Sequence, residues 1–279
     1  MARRPSRPAR VLATAVAAGA LLTTAACSDG GSRSSGTAAA AATPLAADSA
    51  SPSPTASPMT SPPGRLTRAG ARTALITEGD IEDDWTQVKS AGRWRETLLV
   101  GKVDVADFLT AKTDAADCQK LMDSLYGDAL LGRTAGPSAL TGFQDGDSRL
   151  LYQVAAYTPK QLDTALASLR TLPAKCASFT ATGKGGKRAV RVTEQSVPNE
   201  GDARQGLRVT VQGAMGGSPT TLTLDVAVVR VGDDAITVTA GGLSGGRPDA
   251  VTDAVEQGTQ RLKDVLAGKT PAPNPGQFD

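Results

Sequence analysis

The residues that could carry out chemistry in this 279-residue chain are few, and one type is missing. The sequence contains three cysteines, Cys27, Cys118 and Cys176, and no histidine. Without histidine, the chain cannot build a Ser-His-Asp or Cys-His catalytic arrangement or transfer protons through an imidazole. The cysteines also lack the close spacing of zinc ligands or of a redox pair. We therefore expect no catalytic residue, no metal site and no cofactor.

Paired carboxylates are the remaining route to acid-base chemistry, and the densest cluster is Asp80, Glu82, Asp83 and Asp84. A glycoside hydrolase holds two carboxyl groups several ångströms apart on either side of its substrate, which neighbours in one loop do not provide. The alternation also resembles a calcium loop, but the position that requires glycine is Trp85. We predict a solvated turn here, and a carboxylate-dependent hydrolase is the least favoured function.

The first 27 residues have the three parts of a secretory signal. A front with four arginines is followed by the apolar run Val11–Ala26, and small residues precede Cys27. The run is shorter than the roughly 20 residues of a membrane-spanning helix, and it is rich in alanine and threonine. We therefore predict an export signal rather than a membrane span.

The residues before Cys27 resemble the lipobox of bacterial lipoproteins, in which a cysteine receives a diacylglyceryl group and becomes the new N-terminus. The resemblance rests on Ala25 and Ala26, and it implies lipidation of Cys27 and a location on the outer face of the cell membrane. Thr24 stands where the lipobox usually has leucine, so ordinary cleavage after Ala26 or further on is the alternative.

Lipidation of Cys27 would leave an even number of cysteines in the rest of the chain. A free thiol is a liability in an oxidising compartment, so we predict a disulfide between Cys118 and Cys176. By the chain-entropy model, closing this loop stabilises the folded state by about 4 kcal/mol.

Composition divides the chain into four segments. Residues 1–27 are the signal, of which the mature protein retains Cys27, and residues 28–64 form a Ser/Pro/Ala-rich tether with too little apolar surface to fold. Residues 65–268 form one folded domain, and residues 269–279 form a loose, Pro-rich tail. Without the four signal arginines, 26 Lys and Arg stand against 28 Asp and Glu, a net charge of −2. Such a chain lacks the basic footprint of a nucleic-acid-binding protein.

The folded segment consists of strands in runs, with helices between them and at both ends. Apolar spacing predicts helices over 68–76, 114–126, 158–173 and 248–266, with Asp114 capping the second. Alternation predicts strands over 139–144, 149–157, 187–195, 207–212, 221–228 and 235–240. Residues 93–100 are predicted to form an outer strand or an extended segment. Trp85 is predicted to close the core under the acidic turn. The pattern is α+β, with an antiparallel sheet and helices packed on one face.

Four short segments, taken in order, resemble a known domain. They are Cys118 on a helix, Leu172–Thr180 (LPAKCASFT), Gly201–Ala203 before a strand, and Val229–Thr239 (VRVGDDAITVT). They are similar to the extracellular sensor domain of some actinobacterial serine/threonine protein kinases, which also occurs on many actinobacterial lipoproteins. The resemblance covers about 66–266 and implies an antiparallel sheet with flanking helices, an open cleft and a sensing role without catalysis. Some members of that family have two disulfides, whereas this chain has cysteines for one.

Three functions remain open at this point. The first is a membrane-anchored extracytoplasmic lipoprotein with a non-catalytic, ligand-binding or sensor-like domain, whose partners are the membrane and an unknown small envelope ligand or protein. The second is a scaffold for protein-protein interactions in the cell envelope, and the third is the hydrolase. Arg208 and Arg230 are conceivable contacts for an anion, but outward-facing strand residues are usually only solvated. The sequence therefore identifies no ligand-binding residue.

Overall fold

The computed structural model describes residues 64–81, 84–93, 99–100, 103–104, 106–243 and 245–272. All of them belong to one compact unit, Ser57–Asp279. The predicted signal, Cys27 and nearly all of the predicted tether lie outside the described residues. So do residues 94–98 of the predicted outer strand and residues 273–279 of the predicted tail.

The described residues form eleven strands and five helices. The strands are β1 (Thr86–Gln87), β2 (Leu99–Val100), β3 (Val103–Asp104), β4 (Ser138–Asp145), β5 (Ser148–Ala156), β6 (Phe179–Gly183), β7 (Gly186–Glu194), β8 (Ala203–Met215), β9 (Ser218–Val231), β10 (Asp234–Gly242) and β11 (Gly245–Gly246). The helices are α1 (Arg68–Thr73), α2 (Ala106–Leu109), α3 (Ala116–Tyr126), α4 (Pro159–Lys175) and α5 (Pro248–Leu266).

One large antiparallel sheet positions the helices. Its nine strands follow the order β1-β4-β5-β10-β9-β8-β7-β6, with β11 paired to β10, and β2 and β3 form a separate hairpin. Sequential strands joined by short turns account for most pairings, as the turn at Gly146 between β4 and β5 illustrates. The predicted α+β class and antiparallel sheet are confirmed.

Helices lie on both faces of the sheet rather than on the one face that the sequence predicted. On β9, Leu222, Leu224, Val226 and Val228 pack in the cluster that contains α3 and α4. The intervening Ala227 and Val229 pack in the cluster that contains α1 and α5. Because neighbouring side chains on a strand point to opposite faces, the two helix pairs lie on opposite sides of the sheet. Ala227 and Val229 are apolar for this reason.

Helix α4 begins as predicted and extends beyond the predicted end. The Thr158 hydroxyl accepts a hydrogen bond from Gln161 N at 3.3 Å, and Pro159 occupies the first helical position, where its missing N–H costs nothing. The helix continues through Pro173 to Lys175. Only one N–H is lost at Pro173, and the last turn is closed by Cys176 N, which donates to the Leu172 carbonyl at 2.7 Å.

Helix α3 lacks the predicted cap. Asp114 does not cap it, because the residue before the helix is Ala115, which makes no side-chain hydrogen bond. Gln119 reaches back instead, and its side-chain oxygen accepts from Thr113 N at 2.8 Å. Cys118, Leu121, Met122 and Leu125 form the buried stripe of the helix.

The second helix pair closes the core on the other face. Trp85 is 3% exposed and packs with Ile81 in the cluster that contains α1 and α5, which confirms its predicted role. Helix α1 ends at Thr73, three residues earlier than predicted. No helix in the described part of the chain is both long and apolar enough to cross a membrane.

Candidate functional site

The predicted disulfide is present. Cys118 on α3 and Cys176 at the end of α4 are both buried, and their Cα atoms lie 5.6 Å apart across the S–S bond. The bond joins residues 58 positions apart in the sequence and fixes the start of α3 to the end of α4. Cys27, the predicted lipidation site, lies outside the described residues.

The acidic cluster is not a solvated turn throughout, because Asp80 is only 2% exposed. Its carboxylate accepts hydrogen bonds from Thr77 N at 2.7 Å and Thr77 Oγ1 at 2.8 Å, and it pairs with Arg261 on α5. Asp84 is exposed, and Glu82 and Asp83 lie outside the described residues. Asp80 therefore has a structural role at the junction of α1 and α5.

The two arginines considered as anion contacts are each paired with an aspartate. Arg208 contacts the fully buried Asp225 through Nε at 2.6 Å and Nη2 at 3.1 Å. The hydrogen bond that Arg208 donates to the Asp225 carboxylate raises the pKa of Arg208. Arg230 Nη1 lies 2.6 Å from Asp163 on α4. Both arginines therefore have intramolecular partners.

A concave feature with an apolar floor lies between α3 and α4. The disulfide closes the end formed by the start of α3 and the end of α4. At the other end, the Gln161 side chain holds the loop after α3, donating to the carbonyls of Leu131 at 2.9 Å and Arg133 at 2.6 Å. These two attachments place the helices antiparallel and leave a groove between them, which we call the α3–α4 groove.

The floor of the α3–α4 groove is apolar. Its volume is about 520 Å³, and its floor consists of Leu121, Leu130, Leu131, Ala165, Leu169 and Leu172. Leu130 and Ala165 are partly exposed, whereas the other four leucines are nearly buried and belong to the hydrophobic core. Hydrocarbon in the groove would therefore be in contact with side chains that the fold already holds in place.

The rim of the groove is polar and carries positive charge. Lys120 on α3 and Lys160 on α4 are exposed, and neither forms an ion pair with another described residue. The rim hydroxyls come from Ser124, Thr164 and Ser168. Because α3 and α4 are antiparallel, the two ammonium groups stand toward opposite ends of the groove.

One carboxylate lines the groove, and it is neutralised. Asp117 Oδ2 lies 2.7 Å from Lys175 Nζ. The hydrogen bond and the charge of Lys175 lower the pKa of Asp117. Asp117, already paired with Lys175, does not form an acid-base pair with a second carboxylate of the lining. The apolar floor and the ammonium groups of Lys120 and Lys160 suit the binding of a ligand.

Sequence reasoning identified the helices of this site but not the groove. The apolar stripe of α4 is formed by Leu162, Ala165, Leu166 and Leu169, and of these Ala165 and Leu169 also line the groove. The Cys118–Cys176 pair was the available signal, because a disulfide between the two helices forces them to lie side by side. No local sequence pattern distinguishes Lys120 or Lys160 from the other surface lysines.

Among known proteins, the chain has a distant likeness to a solved structure. No protein-family model and no curated protein matches the chain. Among solved structures, the chain is similar to the extracellular domain of PknH from Mycobacterium tuberculosis, with 15% sequence identity and a TM-score of 0.39. The match covers 74% of this chain and 97% of that one. A likeness at this level does not assign the chain to a family.

Proposed function

We propose that this chain is an extracytoplasmic lipoprotein, held on the outer face of the cell membrane by a lipid on Cys27, with a non-catalytic, sensor-like binding domain. The basic and apolar parts of the N-terminal signal support export. The disulfide supports it as well, because structural disulfides persist in oxidising compartments. With Cys118 and Cys176 joined to each other, Cys27 is the cysteine that remains for a lipid.

The observation that carries the binding role is the α3–α4 groove. Its apolar floor would take up a hydrocarbon chain, and its ammonium groups would bind an anionic headgroup at either end. The ligand that fits is an amphipathic molecule with an apolar body and one anionic group, such as a fatty acid or an alkyl phosphate. A non-catalytic role is favoured because Asp117 is the only carboxylate among the described residues that line the groove.

A fluorescent fatty acid tests this site. The chain from residue 27 onward, carrying Cys27→Ser, is titrated with dansylated undecanoic acid, and saturable binding is expected. Ala165→Trp fills the groove from its α4 wall and should weaken binding about tenfold or more, because an overfilled site cannot admit the ligand. Ala167→Trp, on an exposed part of the same helix, is the matched control and should bind like the parent.

A double variant that removes both ammonium groups tests the headgroup contact separately. Lys120→Gln combined with Lys160→Gln should weaken binding of the dansylated acid but leave binding of its neutral methyl ester unchanged. Unchanged affinity in Ala165→Trp would exclude the groove as the site. Equal losses for acid and ester in the double glutamine variant would exclude recognition of an anion.

The anchor is tested by mass spectrometry of the mature N-terminus from the expressing cell. A diacylglyceryl modification on Cys27 is expected, and Cys27→Ala should release the protein from the membrane fraction. An unmodified N-terminus at another residue would refute the anchor without affecting the groove.

A further inference from the structure

Among the described residues, no helix covers part of one face of the large sheet. Helices α1 and α5 pack on the face that carries Ala227 and Val229, over β4, β5, β10 and β9. Over β8, the segment that contains Gln195 and Val197 covers the same face at Gly206. An added Cβ at Gly206 would collide with the Gln195 carbonyl and with Val197. Beyond Gly206, toward the turn between β6 and β7, the side chains of β7 and β8 on this face are exposed or half-exposed.

The strand register identifies which residues share this uncovered surface, which we call the open sheet face. Ala189 on β7 faces Gln212 on β8, and Gln212 faces Thr221 on β9. The neighbouring row places Arg191 opposite Thr210, and Lys187 stands two residues from Ala189 toward the turn. At strand spacings of about 4.8 Å and rises of about 3.3 Å per residue, β7 to β9 give a surface about 10 Å wide and 13 Å long.

The open sheet face is positively charged. Lys187 and Arg191 are exposed, and neither forms an ion pair with another described residue. Asp225 is the one carboxylate that β6 to β9 place on this side of the sheet. It is fully buried and bound to Arg208, so it presents no negative charge to a ligand. This local charge contrasts with the net charge of −2 of the chain without its signal arginines.

We infer that the open sheet face binds an anionic polysaccharide. Two cationic residues whose backbone positions lie about 13 Å apart along one strand suit charges that repeat along an extended polymer better than a single compact anion. The hydroxyls of Thr210 and Thr221 and the amide of Gln212 supply donors and acceptors for sugar hydroxyls between the two charges.

A second copy of this chain fits the open sheet face poorly. A two-fold interface brings the same patch of both copies together, so Lys187 and Arg191 would face each other's like charges. The open sheet face also lies on the side of the sheet opposite α3 and α4. Binding there is therefore separable from binding in the α3–α4 groove.

Ala189 gives the sharpest test, because it is exposed at the centre of the patch. Binding of fluorescently labelled polygalacturonate to the chain from residue 27 onward, carrying Cys27→Ser, is measured by anisotropy. Ala189→Glu introduces a negative charge and should weaken binding about tenfold relative to Ala189→Gln, which has the same size and no charge. Equal affinities in the two variants would overturn the proposal.

A second pair of variants tests the cations. Lys187→Ser with Arg191→Ser should abolish measurable binding, whereas Lys89→Ser with Arg170→Ser removes two exposed cations elsewhere and should leave it intact. Neutral dextran should not bind to the parent chain. Equal losses in both double variants would show non-specific attraction, and binding to phosphatidylglycerol vesicles without binding to polygalacturonate would identify a membrane surface instead. Either result would overturn the proposal.

Discussion

Arg261 Nη1 on α5 lies 3.2 Å from Asp80 Oδ2, although the two residues are far apart in the sequence. The same guanidinium donates to the carbonyl of Thr73, the last residue of α1, at 3.3 Å. It also donates to the carbonyl of Leu75, just beyond the helix, at 2.8 Å. One side chain of α5 therefore joins the end of α1 and the acidic turn. The Asp80 carboxylate is 2% exposed and the Arg261 side chain 14% exposed, so water screens the pair weakly.

Removing Arg261 should destabilise the fold strongly. Arg261→Leu leaves the Asp80 carboxylate buried without its cation, which costs about 3 kcal/mol of unfolding free energy. Urea unfolding measures the loss. Lys263→Leu is the matched control on the same helix, because its pair with Glu200 is partly exposed and such pairs contribute at most about 1 kcal/mol. Equal losses in the two variants would show that the Arg261 pair does not hold α1 in place.

The Asp80 pair shows why the acidic turn could not be predicted from the sequence. Locally, four carboxylates close together in a turn indicate a solvated segment, and the exposed Asp84 agrees with this. The burial of Asp80 depends on Arg261, which only the packing of α5 against α1 brings near. A local pattern carries no information about such a partner.

The sequence predicts the strands of the sheet better than it predicts which faces of the sheet the helices cover. Alternation predicts β9 over 221–228, and its alternate residues Leu222, Leu224, Val226 and Val228 form one buried face. Ala227 and Val229 are buried as well, because α5 covers the other side. Alanine and valine are common on both kinds of face, so the residues alone did not reveal the second layer of helices.

The candidate site was predictable only through its disulfide. The pairing of Cys118 with Cys176 followed from counting cysteines, and it fixes which ends of α3 and α4 meet. The width of the groove between them depends on how Gln161 holds the carbonyls of Leu131 and Arg133. Side-chain-to-loop contacts of this kind have no periodic signature in the sequence.

Gly258 should not tolerate alanine, although alanine normally favours a helix. On an exposed helical position this change stabilises by about 1 kcal/mol. Here an added Cβ would collide with the Tyr152 hydroxyl and would lie 2.6 Å from Tyr152 Cε2, and Tyr152 is fully buried. We expect Gly258→Ala to lower the unfolding free energy by about 1–3 kcal/mol, measured by urea unfolding.

Two further variants identify the cause of the Gly258 effect. Glu256→Ala, on an exposed part of α5, should leave stability within about 0.5 kcal/mol of the parent. Tyr152→Leu should make room for the new methyl group, so Gly258→Ala should cost less in that background. Full additivity of the two changes would contradict a clash between them.

Loss of the disulfide should cost more than any single side chain discussed above. The bond closes a loop of 58 residues, for which the chain-entropy model gives about 4 kcal/mol. Cys118→Ser combined with Cys176→Ser should therefore lower the unfolding free energy by about that amount. A reducing agent should lower the stability of the parent equally and leave the double serine variant unchanged. A parent whose stability does not respond to complete reduction would refute this contribution.

Asp234 should make the fold more stable in mild acid than at neutral pH. The residue begins β10 and is 5% exposed. Burial, and then the charge of Asp233, raise the pKa of Asp234 to about 6, whereas an aspartate in the unfolded chain titrates near 3.9. The folded state therefore binds a proton more tightly than the unfolded state does. The resulting stabilisation is complete below about pH 4 and is lost as the pH rises through 6.

Asp234→Asn removes this dependence, because the amide stays neutral at every pH. At pH 7.5 the variant should be more stable than the parent by about 1–2 kcal/mol, since the parent then buries a charged carboxylate. At pH 4 the two proteins should have similar unfolding free energies, because the parent carboxylate is protonated in the folded state. Urea unfolding at both pH values measures the difference.

Asp233→Asn, which removes only the exposed neighbouring charge, should show a smaller gain of the same sign. A gain for Asp234→Asn of equal size at pH 4 and pH 7.5 would show that titration of Asp234 is not its cause.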